Sequence, residues 1–240
     1  MIRLAVWSGP RSISTALMRS WENRGDTMVM DEPLYAHYLA ATGLDHPGRD
    51  EVIAAGPADW ETAVDRLFEP VPDDVAVVYQ KHMAHHLLPA RDRSWINRLT
   101  NVLLIRDPRE VVASYVRARP NVTADDIGFP QQMQLYSELA AAGTTPLVIE
   151  SSDLLHDPER YLRSWCDDLG VAFTDRMLSW PPGPRDSDGV WARHWYQAVW
   201  RSTGFAAHQP TEIDLGPTAS GVAEACMPLY RALYDVRWRP

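Results

Sequence analysis

Short apolar runs rich in Val, Ile and Leu recur along the chain at Ile2–Trp7, Thr27–Met30, Val75–Tyr79, Asn101–Ile105 and Pro146–Ile149. Runs this short, apolar throughout rather than alternating, suit strands of a parallel sheet that is buried on both faces. Between the first two, Ile13, Leu17 and Trp21 repeat every four residues, which predicts a helix over Ser12–Asn23 with Ser12 as its N-cap. Further helices are expected at Trp60–Phe68, Pro108–Arg117, Pro130–Ala142, Pro158–Leu169 and Val222–Tyr234. Strand and helix therefore alternate, and this order predicts a three-layer α/β domain: a central, mainly parallel five-stranded sheet flanked by helices, one domain over residues 1–240. Segments rich in Gly, Pro and Asp at His46–Ala58, Arg119–Phe129 and Ser179–Gly189 are too long for simple connections and read as lids or binding loops.

In an open parallel sheet, ligands bind beyond the carboxyl ends of the strands, and here those ends are polar. After the first run stands Ser8-Gly9-Pro10-Arg11-Ser12-Ile13-Ser14-Thr15. A short loop entering a helix offers free N–H groups and the positive end of the helix dipole, and this one adds an arginine and several hydroxyls, the makings of a phosphate cradle. It is not a Walker A loop, because Ile13-Ser14 stand where Gly-Lys would be required. After the fourth run, Pro108 suits the first position of a helix. Arg106 then sits at the strand end and Ser114 two turns into the helix, where both can face one anion. The second run ends in Asp31-Glu32 and the third in Gln80-Lys81-His82.

The net charge of −9 and a pI near 5.3 disfavour nonspecific binding to nucleic acid or an acidic membrane, so an anionic ligand must be held by local cations. Of 23 basic residues only Lys81 is lysine. Where coding drift has turned lysines to arginine, a retained ammonium at the ligand edge is a candidate for work a planar guanidinium cannot copy. No run of about 18 apolar residues occurs and the opening segment soon turns polar, so neither a membrane span nor a signal peptide fits and a cytoplasmic protein is expected. Cys166 and Cys226 form neither a disulfide framework nor a zinc pair; both read as buried, and no metal is expected. The tryptophans concentrated between Trp165 and Trp200 read mainly as core, with His194-Trp195-Tyr196 among them, and His85 and His86 read as structural. Asn121-Val122-Thr123 is a formal glycosylation sequon without meaning in a cytoplasmic chain.

Together these segments resemble the cytosolic-type sulfotransferases, whose donor is 3′-phosphoadenosine 5′-phosphosulfate (PAPS). The family's phosphosulfate loop reads approximately TYPKSGTTW; Ser8 to Thr15 is similar, with Pro10 kept, Arg11 at the lysine, and Ser12, Ser14 and Thr15 at hydroxyl positions. Its 3′-phosphate motif resembles RNPKDVAVSY, which Arg106 to Tyr115 matches, and its Lys-Thr-His segment before LLP corresponds to Lys81-His82-Met83 before Leu87-Leu88-Pro89. The resemblance implies a P-loop-type fold in which Gly9, Pro10, Arg11, Ser12, Ile13, Ser14 and Thr15 hold the phosphosulfate, and Arg106 and Ser114 the 3′-phosphate. Arg185 in a loosely matching late segment is implied as a further ligand. Lys81 and Arg11 would stabilise the transferring group. The base would be His82, one residue out of register, or Glu32, placed like the base of glycosaminoglycan-type sulfotransferases; the sequence favours His82. Ala16 replaces the family's adenine-stacking tryptophan, which leaves Trp191 and Tyr196 as candidates to pack the adenine. The implied partners are PAPS, leaving as 3′,5′-phosphoadenosine, and a small hydroxyl acceptor, with no nucleic acid, membrane or metal. A small-molecule kinase with a degenerate phosphate loop, or a noncatalytic nucleotide-binding protein, are the alternatives; the acceptor and the oligomeric state are not legible.

Overall fold

The computed structural model describes residues 1–89, 91–208 and 213–240. Five strands, β1 (Ile2–Ser8), β2 (Thr27–Asp31), β3 (Val77–Met83), β4 (Thr100–Ile105) and β5 (Leu147–Glu150), form one parallel sheet in the order β2-β3-β1-β4-β5. The helices are α1 (Ser14–Glu22), α2 (Tyr35–Thr42), α3 (Arg49–Ala55), α4 (Trp60–Arg66), α5 (Pro108–Tyr115), α6 (Ala124–Ile127), α7 (Phe129–Ala141), α8 (Ser151–His156), α9 (Pro158–Leu169), α10 (Ala192–Trp195), α11 (Gln197–Trp200) and α12 (Pro217–Asp235). Alternation along central β1 sends Leu4 and Val6 into a core with Leu17 and Trp21 of α1 and Trp165 of α9. Ala5 and Trp7 join the opposite core with Val112 of α5, Leu135 of α7 and Cys226 of α12. The expected three layers follow. None of the helices described is long and apolar enough to cross a membrane.

Local chemistry explains where the helices begin. Asp107 and Asp157 accept hydrogen bonds from the first turns of α5 and α9, and Pro108 and Pro158 occupy the position where a missing N–H costs nothing. Glu150, the last residue of β5, accepts from the N–H groups of Ser152 and Asp153 and starts α8 directly from the strand.

Three differences from the sequence reading bear on function. The third strand starts at Val77 and runs on to Met83, so Lys81 and His82 lie within it and not after it. Gln80, Lys81 and His82 are polar yet buried, and hydropathy ends the strand where its apolar residues end. Helix α1 starts at Ser14, and Ile13 rather than Ser12 is its N-cap residue; the Ser12 hydroxyl bonds back to the Pro10 carbonyl at 3.3 Å. Finally, α2, α8, α10 and α11 lie outside the expected helices, and the expected loops His46–Ala58 and Arg119–Phe129 contain α3 and α6. Helix α6 matters because it ends against Gly9, where any Cβ would collide with the Ile127 carbonyl oxygen; the phosphate-type loop can lie there only as glycine.

Candidate active site

The carboxyl ends of β1, β3 and β4 open into a cavity of about 260 Å³. The β1–α1 loop from Pro10 to Ala16 forms its floor, Arg106, Ser114, Lys81 and Glu32 stand on its sides, and Trp195 and Tyr196 close it. Among the described residues, three other than glycine have positive φ, namely Arg11 (60°), Ile13 (56°) and Glu32 (43°), and all three line this cavity. A β-branched residue in that region is a conformational outlier, and such positions cost on the order of 1–3 kcal/mol each. One result is that no side chain caps α1, so its first-turn N–H groups remain available to an anion.

Two motifs distant in sequence are physically joined here. Arg106 donates from Nη1 to the Arg11 carbonyl at 3.0 Å and from Nε to Glu110 at 2.7 Å, holding the strained loop from the β4 side. The Arg11 guanidinium itself pairs with no carboxylate among the described residues and lies 6.0 Å from the centroid of the Trp195 ring. Of the cations that line the cavity, Lys81 is paired with Asp31 and Glu32 and Arg106 with Glu110, which leaves Arg11 as the one that no carboxylate among the described residues neutralises.

Lys81 is only 1% exposed. Its Nζ donates to Asp31 Oδ1 at 2.9 Å, to Glu32 Oε1 at 2.5 Å and to the Tyr196 hydroxyl at 2.8 Å. An ammonium has three N–H donors, and all three are taken. Lys81 therefore has no free donor for a transferring group, which of the two cations expected there leaves Arg11. Burial opposes the Lys81 charge, but Asp31 and Glu32 outweigh it and raise its pKa well above the usual lysine range. Burial raises the pKa of Glu32, opposed by Lys81 and reinforced by the like charge of Asp31. No donor meets the second oxygen of Glu32, Oε2, among the described residues.

His82, the favoured base, is on the wrong face. Successive side chains of a strand point to opposite sides, so a strand that puts Lys81 in the cavity must turn His82 away. Its ring stacks on Trp7 with centroids 4.0 Å apart, and Nε2 lies 3.2 Å from Gln80 Oε1. Burial holds its pKa down at about 3. Because the folded pKa lies below the unfolded value near ~6.5, the stability linked to His82 is intact above that value and falls with pH toward the folded one, by about 1.4 kcal/mol per unit. Denaturant unfolding at several pH values between 7 and 5 is expected to show a shallower loss in His82→Phe, which keeps a ring on Trp7; an unchanged slope would contradict the assignment.

Arg185 is also not brought to the cavity. It donates to the Pro181 carbonyl at 2.8 Å and faces Glu22, at the far end of α1, at 3.9 Å. Of the candidates for the adenine, Trp191 is buried edge-on against Tyr35, and Tyr196 commits its hydroxyl to the Lys81 network. Tyr196 still lines the cavity, and Trp195 lines it beside Tyr196; in the sequence Trp195 is one aromatic among many, with nothing to separate it from core.

A smaller cavity of about 90 Å³ adjoins the first and shares Pro10, Arg11, Glu32, Met83 and Trp195 with it. Tyr35, His46, His85 and His86 line its other side. These histidines are neutral: burial holds His46 at about 4 and His85 at about 3, and the His86 ring stacks between Tyr35 and Tyr38. The larger cleft, about 530 Å³ beside β2, reaches Glu32 but not Arg11. Among the described residues, no three His, Cys, Asp or Glu side chains are grouped to hold a metal ion.

The family model for the sulfotransferase domain matches residues 2–236. Two curated relatives from Arabidopsis thaliana, branched-chain-amino-acid aminotransferase-like proteins 2 and 1, are 36% and 37% identical over 228 and 227 residues. Each match covers 95% of this chain, which spans only 40% of the relative's length. A solved sulfotransferase from Alicyclobacillus acidocaldarius shares the fold with a TM-score of 0.53 and 13% identity, over 100% of this chain and 97% of that one.

Proposed function

Because the chain belongs to the sulfotransferase-domain family, we propose that it transfers a sulfuryl group from PAPS to a hydroxyl of a small-molecule acceptor. The observation that carries this reading is that one cavity joins the β1–α1 loop, Arg106, Ser114, Glu32 and Arg11, whose guanidinium no carboxylate among the described residues neutralises. In this reading the loop from Gly9 to Thr15 and the uncapped start of α1 hold the 5′-phosphosulfate, while Arg106 and Ser114 hold the 3′-phosphate. Trp195 offers a ring for the adenosine in place of the absent family tryptophan. The acceptor lies in the smaller cavity, since transfer needs both a cation and a base, and the larger cleft lacks Arg11.

Sulfuryl transfer resembles phosphoryl transfer, in that charge develops on the bridging and peripheral oxygens and catalysis is mainly positioning and cationic stabilisation. Arg11, unpaired at the boundary of the two cavities, meets that charge. The acceptor oxygen bonds to sulfur, the bond from sulfur to the donor's phosphate oxygen breaks, and the acceptor proton goes to Glu32 Oε2, leaving 3′,5′-phosphoadenosine. The free thiols Cys166 and Cys226 suit a reducing cytoplasm.

Arg106→Ala tests the nucleotide assignment. Loss of a charge-assisted contact typically removes ~1.5–3 kcal/mol, so calorimetric titration should show binding of 3′,5′-phosphoadenosine weakened roughly ten- to a hundredfold more than binding of adenosine 5′-phosphate, whose smaller loss comes from releasing the Arg11 carbonyl. Equal losses for the two nucleotides would refute the reading.

A further inference from the structure

Tyr196, a candidate for the adenine in the sequence, stands where α10 hands over to α11, and its ring is buried. Neighbours on the same segment, Trp195, Ala198 and Val199, wall the larger cavity. The Tyr196 hydroxyl accepts from Lys81 Nζ at 2.8 Å and lies 2.8 and 2.9 Å from the two oxygens of Asp31, to which it donates its one proton. Asp31 Oδ2 also accepts from the N–H of Gly189 at 3.2 Å. Lys81 thus has three acceptors, and two of them, Asp31 and Tyr196, are themselves fixed by other parts of the fold. Only the direction toward Glu32 remains for its third N–H.

We propose that Tyr196 and Asp31 are positioning residues of the transfer reaction: they hold the Lys81 ammonium so that it pins Oε1 of Glu32 and presents Oε2 to the acceptor hydroxyl. The proposal rests on the reading of Glu32 as base. It also gives the wall of the donor cavity a direct connection to the base, because the segment that carries Trp195 carries the Tyr196 hydroxyl.

Charges and titratable groups from several elements face Glu32. They are Asp31 from β2, Lys81 from β3, Tyr196 from the α10–α11 junction, Tyr35 from α2, and Arg11 across the cavity. The like charge of Asp31 favours the protonated form of Glu32, whereas Tyr196 favours the ionised form. Removing one or the other must therefore move Glu32 in opposite directions.

Lys81 is the one lysine in the sequence, so isotope labelling of lysine gives a single side-chain ammonium resonance that follows protonation of Glu32 without any acceptor being known. In the intact chain, the titration seen at that resonance should move to higher pH in Tyr196→Phe, move to lower pH in Asp31→Asn and vanish in Glu32→Gln. Turnover of PAPS with simple alcohols as trial acceptors should fall at least about tenfold in Tyr196→Phe through kcat, while binding of 3′,5′-phosphoadenosine stays within about threefold. Should Tyr196→Phe not fold, Asp31→Asn carries the test alone. A Lys81 titration unmoved in the folded variants would overturn the positioning role. Wild-type turnover in Glu32→Gln would instead remove the reading of Glu32 as base, whatever the resonance does.

Discussion

Glu32→Gln is expected to lower kcat by roughly 10²–10⁴, the range typical of a removed general base, with binding of 3′,5′-phosphoadenosine preserved or slightly tightened. The second part follows from charge. Glu32, Asp31 and Lys81 together carry one excess negative charge beside the donor cavity, and the amide leaves a balanced Lys81–Asp31 pair. Wild-type kcat/KM should rise with pH as Glu32 ionises, over a range above the ordinary glutamate value because burial and Asp31 raise its pKa. His82 cannot supply that limb, since it faces Trp7 and is neutral down to about pH 3. Stopped-time assays across pH on both proteins check this; a glutamine variant that keeps the wild-type rate and limb would contradict the role of Glu32.

The largest effect on stability is expected at Lys81. Lys81→Met leaves Asp31 and Glu32 buried together without a counter-charge, and breaking a buried ion pair from one side costs about 3–5 kcal/mol. The pH dependence identifies the cause. Burial raises the pKa of Glu32 and the ammonium opposes that rise, so without Lys81 the deficit is largest at neutral pH and shrinks as acid neutralises Glu32. Lys81→Arg should recover only part of the loss, because a planar fork cannot direct donors to three acceptors arranged around a tetrahedral nitrogen. Denaturant unfolding of the variants against wild type at pH 7.5 and pH 5 measures both statements. A constant difference at the two values would mean that lost packing, not uncompensated charge, is responsible.

The layer order of the fold was legible because each sheet strand begins as an apolar run and each main helix carries a capping residue or periodic apolar positions. What hydropathy could not show was how far β3 continues. Gln80, Lys81 and His82 are buried with their polar groups engaged, by the Leu67 carbonyl for Gln80 and by the carboxylates for Lys81. Ending the strand at Tyr79 hid its alternation, and with it the fact that Lys81 and His82 must face opposite ways. Pro10–Thr15, Arg106, Ser114 and Glu32 were legible as candidates that share one cavity, because strand ends are where a parallel sheet exposes polar residues. Trp195 is not marked by the sequence, and Tyr196 is marked only for the adenine and not as a partner of Lys81, since both reach the site from a segment more than a hundred residues beyond β3, and no local pattern records such a contact. Arg185 followed from a loose motif match, and its true partner, Glu22, lies on α1.

The most direct measurement is transfer itself. Purified protein, radiolabelled PAPS and a fractionated small-metabolite extract should yield labelled acceptor and 3′,5′-phosphoadenosine in equal amounts, with the initial rate of labelling at least about a hundredfold lower in Glu32→Gln. Binding of the nucleotide with no label transferred, or consumption of Mg-ATP in place of PAPS, would contradict sulfuryl transfer by this site.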